Sequence, residues 1–201
     1  MIVHKNGSDR AVIILHEIYG INPHIVEVCD RYSNSGYDVY CPNLIHKAEP
    51  FEYSQQQAAY DHFKTEIGFD VHIKLLKLLE ELRTQYRAIF LVGYSIGATI
   101  AWRCSAFGVC DGVIGYYGSR IRDYLEIVPK CPVLLIFAEQ EPSFAPHDLV
   151  LTPEQQKNTS MVIFAGEHGF CDRFSSHYNS ESFIKAQMLT NTFIEDIKKR
   201  N

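Results

Sequence analysis

Residues 88–100 read Ala-Ile-Phe-Leu-Val-Gly-Tyr-Ser-Ile-Gly-Ala-Thr-Ile: an apolar run of β type, then Gly93-Tyr94-Ser95-Ile96-Gly97, then small residues able to open a helix. A strand that turns at once into a helix brings the backbone at both glycines against its neighbours, where a Cβ would collide. Ser95 at the apex is expected at positive φ, a strain of about 1–3 kcal/mol that the surrounding fold must hold. Such a turn pushes the serine hydroxyl out beyond the end of the sheet, which makes Ser95 the first candidate for chemistry.

Working outward, the strand signals multiply. Ile2–His4, Ala11–Leu15, Tyr37–Cys41, Ala88–Val92, Gly112–Tyr117, Pro132–Ala138 and Met161–Ala165 are short apolar runs, several continuous enough to be covered on both faces as in a parallel sheet. Helical patterns fill most gaps. Asn22-Pro23 supplies an N-cap and a first-turn proline, and Gly36 closes that helix. Phe69, Ile73, Leu76, Leu79, Leu82 and Tyr86 predict one apolar helix face, and Ser182–Lys199 predicts the last helix. Alternating β and α runs give an α/β architecture: a mostly parallel central sheet of about seven strands with helices on both faces. No repeat or linker divides residues 1–201, which are read as a single domain.

Bulk properties exclude several classes. The 201 residues are 46% hydrophobic and 21% charged, with a mean hydropathy of −0.12 and no run of 18 apolar residues, so no membrane span is expected. A net charge of −5 and pI near 6.0 disfavour a nucleic-acid partner. Six scattered cysteines form no Cys-x-x-Cys pair, and nine histidines show no metal-ligand spacing, so neither a disulfide scaffold nor a metal is expected. Buried thiols and the absence of a secretory apolar region near residue 1 point to the cytoplasm.

A serine hydroxyl needs a base, and the base needs a third group to fix its tautomer. The turn at Ser95 resembles the nucleophile elbow of α/β-hydrolases, in which the chain order is serine, acid, histidine, each just beyond a strand. After the strand ending near Ala138 come Glu139-Gln140-Glu141, and after the strand ending near Ala165 come Gly166-Glu167-His168-Gly169-Phe170. His168, between glycines at a strand end, is the candidate base. Glu141, Glu139 and Asp148 compete as the acid, with Glu141 preferred. The N–H of Ile96, the residue after the serine, is the oxyanion donor that the fold uses.

Four segments together carry a more specific resemblance: His16-Glu17-Ile18-Tyr19-Gly20-Ile21-Asn22, the elbow at 93–97, Phe137-Ala138-Glu139-Gln140-Glu141, and Ala165-Gly166-Glu167-His168-Gly169-Phe170. In this order, across nearly the whole chain, they resemble the dienelactone hydrolase family, whose members cleave esters or lactones of small substrates without a cofactor. The resemblance implies Ser95 as nucleophile, Glu141 as acid and His168 as base. It further implies that Glu17 lies beside the nucleophile and that Ile18 N–H joins Ile96 N–H in the oxyanion hole.

This chain departs from that pattern in three ways. The best-known members carry cysteine at the position of Ser95 and aspartate at that of Glu141. Glu17, whose family role concerns a thiolate, is here expected to hydrogen-bond near Ser95 and to move aside when an oxyanion forms. Arginines that engage a substrate carboxylate in the family have only Lys47 and Arg173 as approximate counterparts, and lysine lacks the bidentate fork. Tyr94 and Phe170, adjoining Ser95 and His168, are expected in the pocket wall, with Tyr19, Tyr116, Tyr117 and Phe144 as further aromatics nearby.

The expected activity is hydrolysis of a small ester or lactone through an acyl-enzyme. A thioesterase or acyltransferase using the same residues, and an idle fold that merely binds a small ligand, are the alternatives.

Overall fold

A computed structural model of the chain describes residues 1–200, Arg200 by its backbone alone. Seven strands form one sheet: β1 (Ile2–His4), β2 (Arg10–Leu15), β3 (Asp38–Cys41), β4 (Ala88–Tyr94), β5 (Gly112–Tyr116), β6 (Val133–Gln140) and β7 (Thr159–Glu167). Their order is β1-β3-β2-β4-β5-β6-β7. Only β1 runs antiparallel, pairing with β3; all other pairs are parallel. This is the α/β-hydrolase fold.

Among the described residues six α-helices accompany the sheet: α1 (Pro23–Asn34), α2 (Gln56–His62), α3 (His72–Arg83), α4 (Ile96–Cys104), α5 (Pro153–Gln156) and α6 (Ser180–Arg200). Alternation along each strand sends side chains to two cores. Ile13, Leu15, Leu91 and Leu135 meet α3 and α4 on one face. Val12, Ile14, Val92 and Leu134 meet α1 and α6 on the other. The strands read as continuous apolar runs because both faces are buried.

The helices that follow the adjacent strands β2 and β4 therefore lie on opposite faces. That reversal opens a crevice at the carboxyl ends of the strands, the place where open α/β sheets bind ligands. The start of α1 forms as its sequence predicts: the Asn22 side chain accepts the Ile25 N–H at 3.1 Å and Pro23 fills the first turn.

One local expectation is corrected. The helix predicted from Phe69 begins as a 3₁₀ turn at Phe69–Val71, and only then becomes α3. Within α3, Leu75, Leu79 and Leu82 share the buried face, while Ile73, about 180° around the helix from Leu82, is 54% exposed. The stretch between β3 and α3 carries its own helical structure, a 3₁₀ turn at Tyr53–Gln55 and α2 followed by a π turn at Phe63–Ile67. This stretch leans over the ends of the strands and roofs part of the crevice, with Tyr53, Gln56 and Tyr60 on its wall.

Candidate active site

The elbow is built by backbone contacts. A Cβ on Gly93 would overlap the Gly97 carbonyl, and one on Gly97 would overlap the Leu15 carbonyl, with the His16 oxygen 2.8 Å away. Between them Ser95 adopts φ 52°, ψ −112°, and its N–H is tied to Tyr116 O at 2.9 Å. The predicted strain is present and is held by β4, β5 and α4. Ser95 is half-buried and faces a cavity of about 460 Å³ at the carboxyl ends of the strands.

His168 reaches the same cavity from the turn after β7. Its Nε2 lies 3.1 Å from Ser95 Oγ and its Nδ1 2.6 Å from Glu141 Oε2. Glu141 follows β6 and is buried; its other oxygen accepts the Ala138 N–H at 3.4 Å. Glu139 and Asp148, the competing carboxylates, are exposed and make no contact with His168 among the described residues. Three residues separated by up to 73 positions thus form one hydrogen-bonded chain.

Burial opposes protonation of His168, but the hydrogen bond and charge of Glu141, helped by the charge of Glu17, outweigh it and raise the imidazole above its ordinary value of 6.5. An acceptor at Nδ1 places the neutral ring's proton there, leaving Nε2 free to receive one from the hydroxyl.

The loop after β2 supplies the opposite wall. His16 is wholly buried between Glu17 O at 2.6 Å from Nδ1 and the Leu44 N–H at 2.8 Å from Nε2. Burial pushes its pKa down to about 4, so it stays neutral and acts as a strut under Glu17 and Ile18. Ile18 and Ile96 both line the cavity. As the first residue of α4, Ile96 has an N–H with no intrahelical acceptor.

Glu17 is 5% exposed and also faces the cavity. Burial raises its carboxyl from 4.5 to about 7; the charge of His168 opposes the shift and that of Asp172 reinforces it. Glu17 makes no hydrogen bond to Ser95 among the described residues. His168 occupies that place, and Glu17 sits beside His168 and Asp172 instead.

The expected substrate contacts lie elsewhere. Lys47 is exposed, its ammonium 4.9 Å from the Phe51 ring centroid. Arg173 pairs with Glu27 at 3.3 Å on the surface. Neither lines the cavity. Tyr94, on the final residue of β4, points into the α1/α6 core and stacks on Tyr116 at 4.7 Å. Phe170 is buried behind Tyr117, whose ring lies 4.9 Å from His168, so it backs the site without lining it. Of the aromatics named from the sequence, Tyr19 reaches the cavity, joined by Tyr53 and Tyr60. The cavity also holds Arg120, Thr99 and Asp172, which carry no local sequence signal of such a place.

The fold is that of an α/β-hydrolase, with the candidate site at the carboxyl ends of the strands. The chain belongs to the dienelactone hydrolase family, whose model matches residues 1–197; it is a carboxylic ester hydrolase of that family. It is 36% identical over 176 residues to the uncharacterized protein YczH of Bacillus subtilis, covering 87% of each chain. With carboxymethylenebutenolidase 1 of Cupriavidus pinatubonensis it shares 28% identity over 202 residues, covering 92% of this chain and 86% of that one. A solved structure from Klebsiella pneumoniae subsp. pneumoniae, provisionally assigned as a dienelactone hydrolase, superposes with a TM-score of 0.77 at 20% identity, over 94% of this chain and 88% of the other.

Proposed function

We propose that this chain hydrolyses small carboxylic esters or lactones through a covalent acyl-enzyme on Ser95. The observation that carries the reading is the relay Ser95 Oγ to His168 Nε2 at 3.1 Å and His168 Nδ1 to Glu141 at 2.6 Å. Ser95 Oγ attacks the ester carbonyl while His168 takes its proton, and Glu141 orients the ring and stabilises the imidazolium. The tetrahedral oxyanion lies against the N–H groups of Ile96 and Ile18. Collapse expels the alcohol, which leaves with the proton from His168. Water then attacks the acyl-enzyme with the same histidine as base, and the acid departs.

Glu17 stands close enough to this site for its charge to matter. With a carboxyl at about 7, it holds a proton in part of the population at neutral pH, and the neutral form does not oppose a developing oxyanion. The 460 Å³ cavity suits a short acyl or lactone substrate. Six free, buried cysteines fit a reducing cytoplasmic compartment.

The test is labelling by a fluorophosphonate probe together with turnover of p-nitrophenyl acetate. The expected result is a Ser95 adduct on the folded wild type and turnover that Ser95→Ala abolishes. A folded protein that neither labels nor turns over ester would be a ligand-binding member of the fold.

A further inference from the structure

The charge on one wall of the active-site cavity is opposite to what a carboxylate-bearing substrate requires. Asp172, 1% exposed, lines the cavity. Its Oδ2 accepts the Tyr53 hydroxyl and its Oδ1 accepts the Phe174 N–H at 2.9 Å. His24 Nδ1 is 3.8 Å from Oδ1, but burial lowers that imidazole to about 4, so it brings no positive charge at neutral pH. No other cationic side chain pairs with Asp172 among the described residues. Glu17 adds a second carboxyl on the same side; burial raises the pKa of Tyr19 and Tyr53, and the nearby Asp172 and Glu17 carboxyls add to the shift.

Aromatic surface completes this wall. The rings of Tyr19 and Tyr53 both line the cavity and meet edge to face, with centroids 5.0 Å apart. Ring faces carry negative potential and attract cations. The cavity's arginine, Arg120, belongs to a separate group: it donates to the Tyr60 hydroxyl at 2.7 Å and to Asp123 at 3.3 Å. Near Ser95, Thr99 is wholly buried on the cavity wall, and its hydroxyl has no hydrogen-bond partner among the described residues.

We propose that Asp172, with the rings of Tyr19 and Tyr53, forms a subsite for a cationic group of the substrate, an ammonium or quaternary ammonium carried by the ester. The inference rests on the hydrolase reading above for the word ester, and on the cavity alone for the cation. Asp172 is a specificity-determining residue: it sets which ester enters, while the Ser95–His168–Glu141 relay does the cleavage. The desolvated carboxylate attracts an ammonium over the short span of the cavity and repels a carboxylate over the same span. The aromatic edges and faces accept the methyl groups of a quaternary centre without demanding hydrogen bonds.

Isosteric pairs that differ only in charge test this directly. Binding of choline and of 3,3-dimethylbutan-1-ol is measured by calorimetry on wild type and on Ser95→Ala, and hydrolysis of acetylcholine and of 3,3-dimethylbutyl acetate is measured on wild type. A subsite predicts that the cationic member binds, and is cleaved in terms of kcat/KM, about tenfold or more better than its neutral isostere. In Asp172→Asn, which keeps an acceptor for Tyr53, the gap should shrink to about threefold or less. Tyr19→Leu should narrow it as well, and decides the matter if Asp172→Asn melts early. Equal binding of the two probes, or a gap unchanged in both variants, overturns the subsite. Cleavage of both esters without a charge preference leaves the hydrolase and removes the subsite. A choline preference without any ester cleavage does the reverse.

Discussion

Glu141 reaches His168 with one oxygen, at 2.6 Å from Nδ1, and reaches back to its own strand with the other, at 3.4 Å from Ala138 N. The longer acid is thus accommodated by a turn after β6 that brings its carboxylate against the ring. Glu141→Gln keeps the size but removes the charge that stabilises an imidazolium and sets the tautomer. A kcat loss on the order of 10³–10⁴ on p-nitrophenyl acetate is expected, with KM nearly unchanged. Glu141→Asp retracts the carboxylate by one methylene and should cost on the order of 10²-fold. Steady-state kinetics check both, and full activity in Glu141→Gln would remove it from the relay.

In the proposed mechanism His168 must be neutral to accept the serine proton. Because Glu141 and Glu17 raise His168 above 6.5, the acid limb of kcat/KM should lie above pH 6.5, with activity falling as pH drops through it. Removing the charge of Glu17 withdraws part of that support. In Glu17→Gln the acid limb should therefore move to lower pH; a limb that stays fixed or moves up contradicts the coupling.

Glu17 also ties stability to pH. Its carboxyl rises from 4.5 to about 7 on burial, so between these values the folded chain holds a proton that the unfolded chain releases. The stability contributed by the neutral group is complete below pH 4.5 and is lost as pH rises through 7. Glu17→Gln should be more stable than wild type at pH 8, by on the order of 3 kcal/mol, with the advantage disappearing at pH 4. Urea denaturation at the two pH values measures it.

Gly97 leaves no room for a side chain beside Leu15 and His16. The obstacle is backbone on a central strand, which cannot swing away as a flexible side chain could. Gly97→Ala should lose at least about 3 kcal/mol, the upper end of what overpacking costs, or fail to fold. A melting midpoint within a few degrees of wild type would show that the loop after β2 yields.

Lys47 and Arg173 stand outside the cavity, on Phe51 and Glu27 respectively. Replacing either by alanine should change kcat/KM on small esters by less than about threefold, in the range of ordinary surface substitutions. A tenfold loss at either position would bring that residue back into substrate binding.

What the sequence revealed, and what it hid, follow the range over which each feature is encoded. The elbow was legible because strand, glycines, serine and helix start occupy 13 consecutive residues, and His168 and Glu141 were legible because strand ends are fixed by short apolar runs. Asp172 was not. In the folded chain it meets Tyr53, 119 positions earlier, which leans over the strand ends and donates to it, a pairing that no local pattern announces. Tyr94 misled for the converse reason: adjacency to Ser95 in the chain says nothing about which face of β4 a side chain takes, and alternation sends it inward. Ile73 misled because a run of three- and four-residue steps starting from Phe69 drifts off the face that Leu75, Leu79 and Leu82 share.

The abutment of Gly97 on Leu15 has a consequence for how such sites diversify. Peptide groups hold the apex in its unusual conformation, and the atom at the tip of residue 95 takes no part in bracing it. The backbone bracing at this apex is thereby indifferent to whether residue 95 ends in oxygen or sulfur, and the neighbour that must accommodate the exchange is His168, 3.1 Å from the hydroxyl.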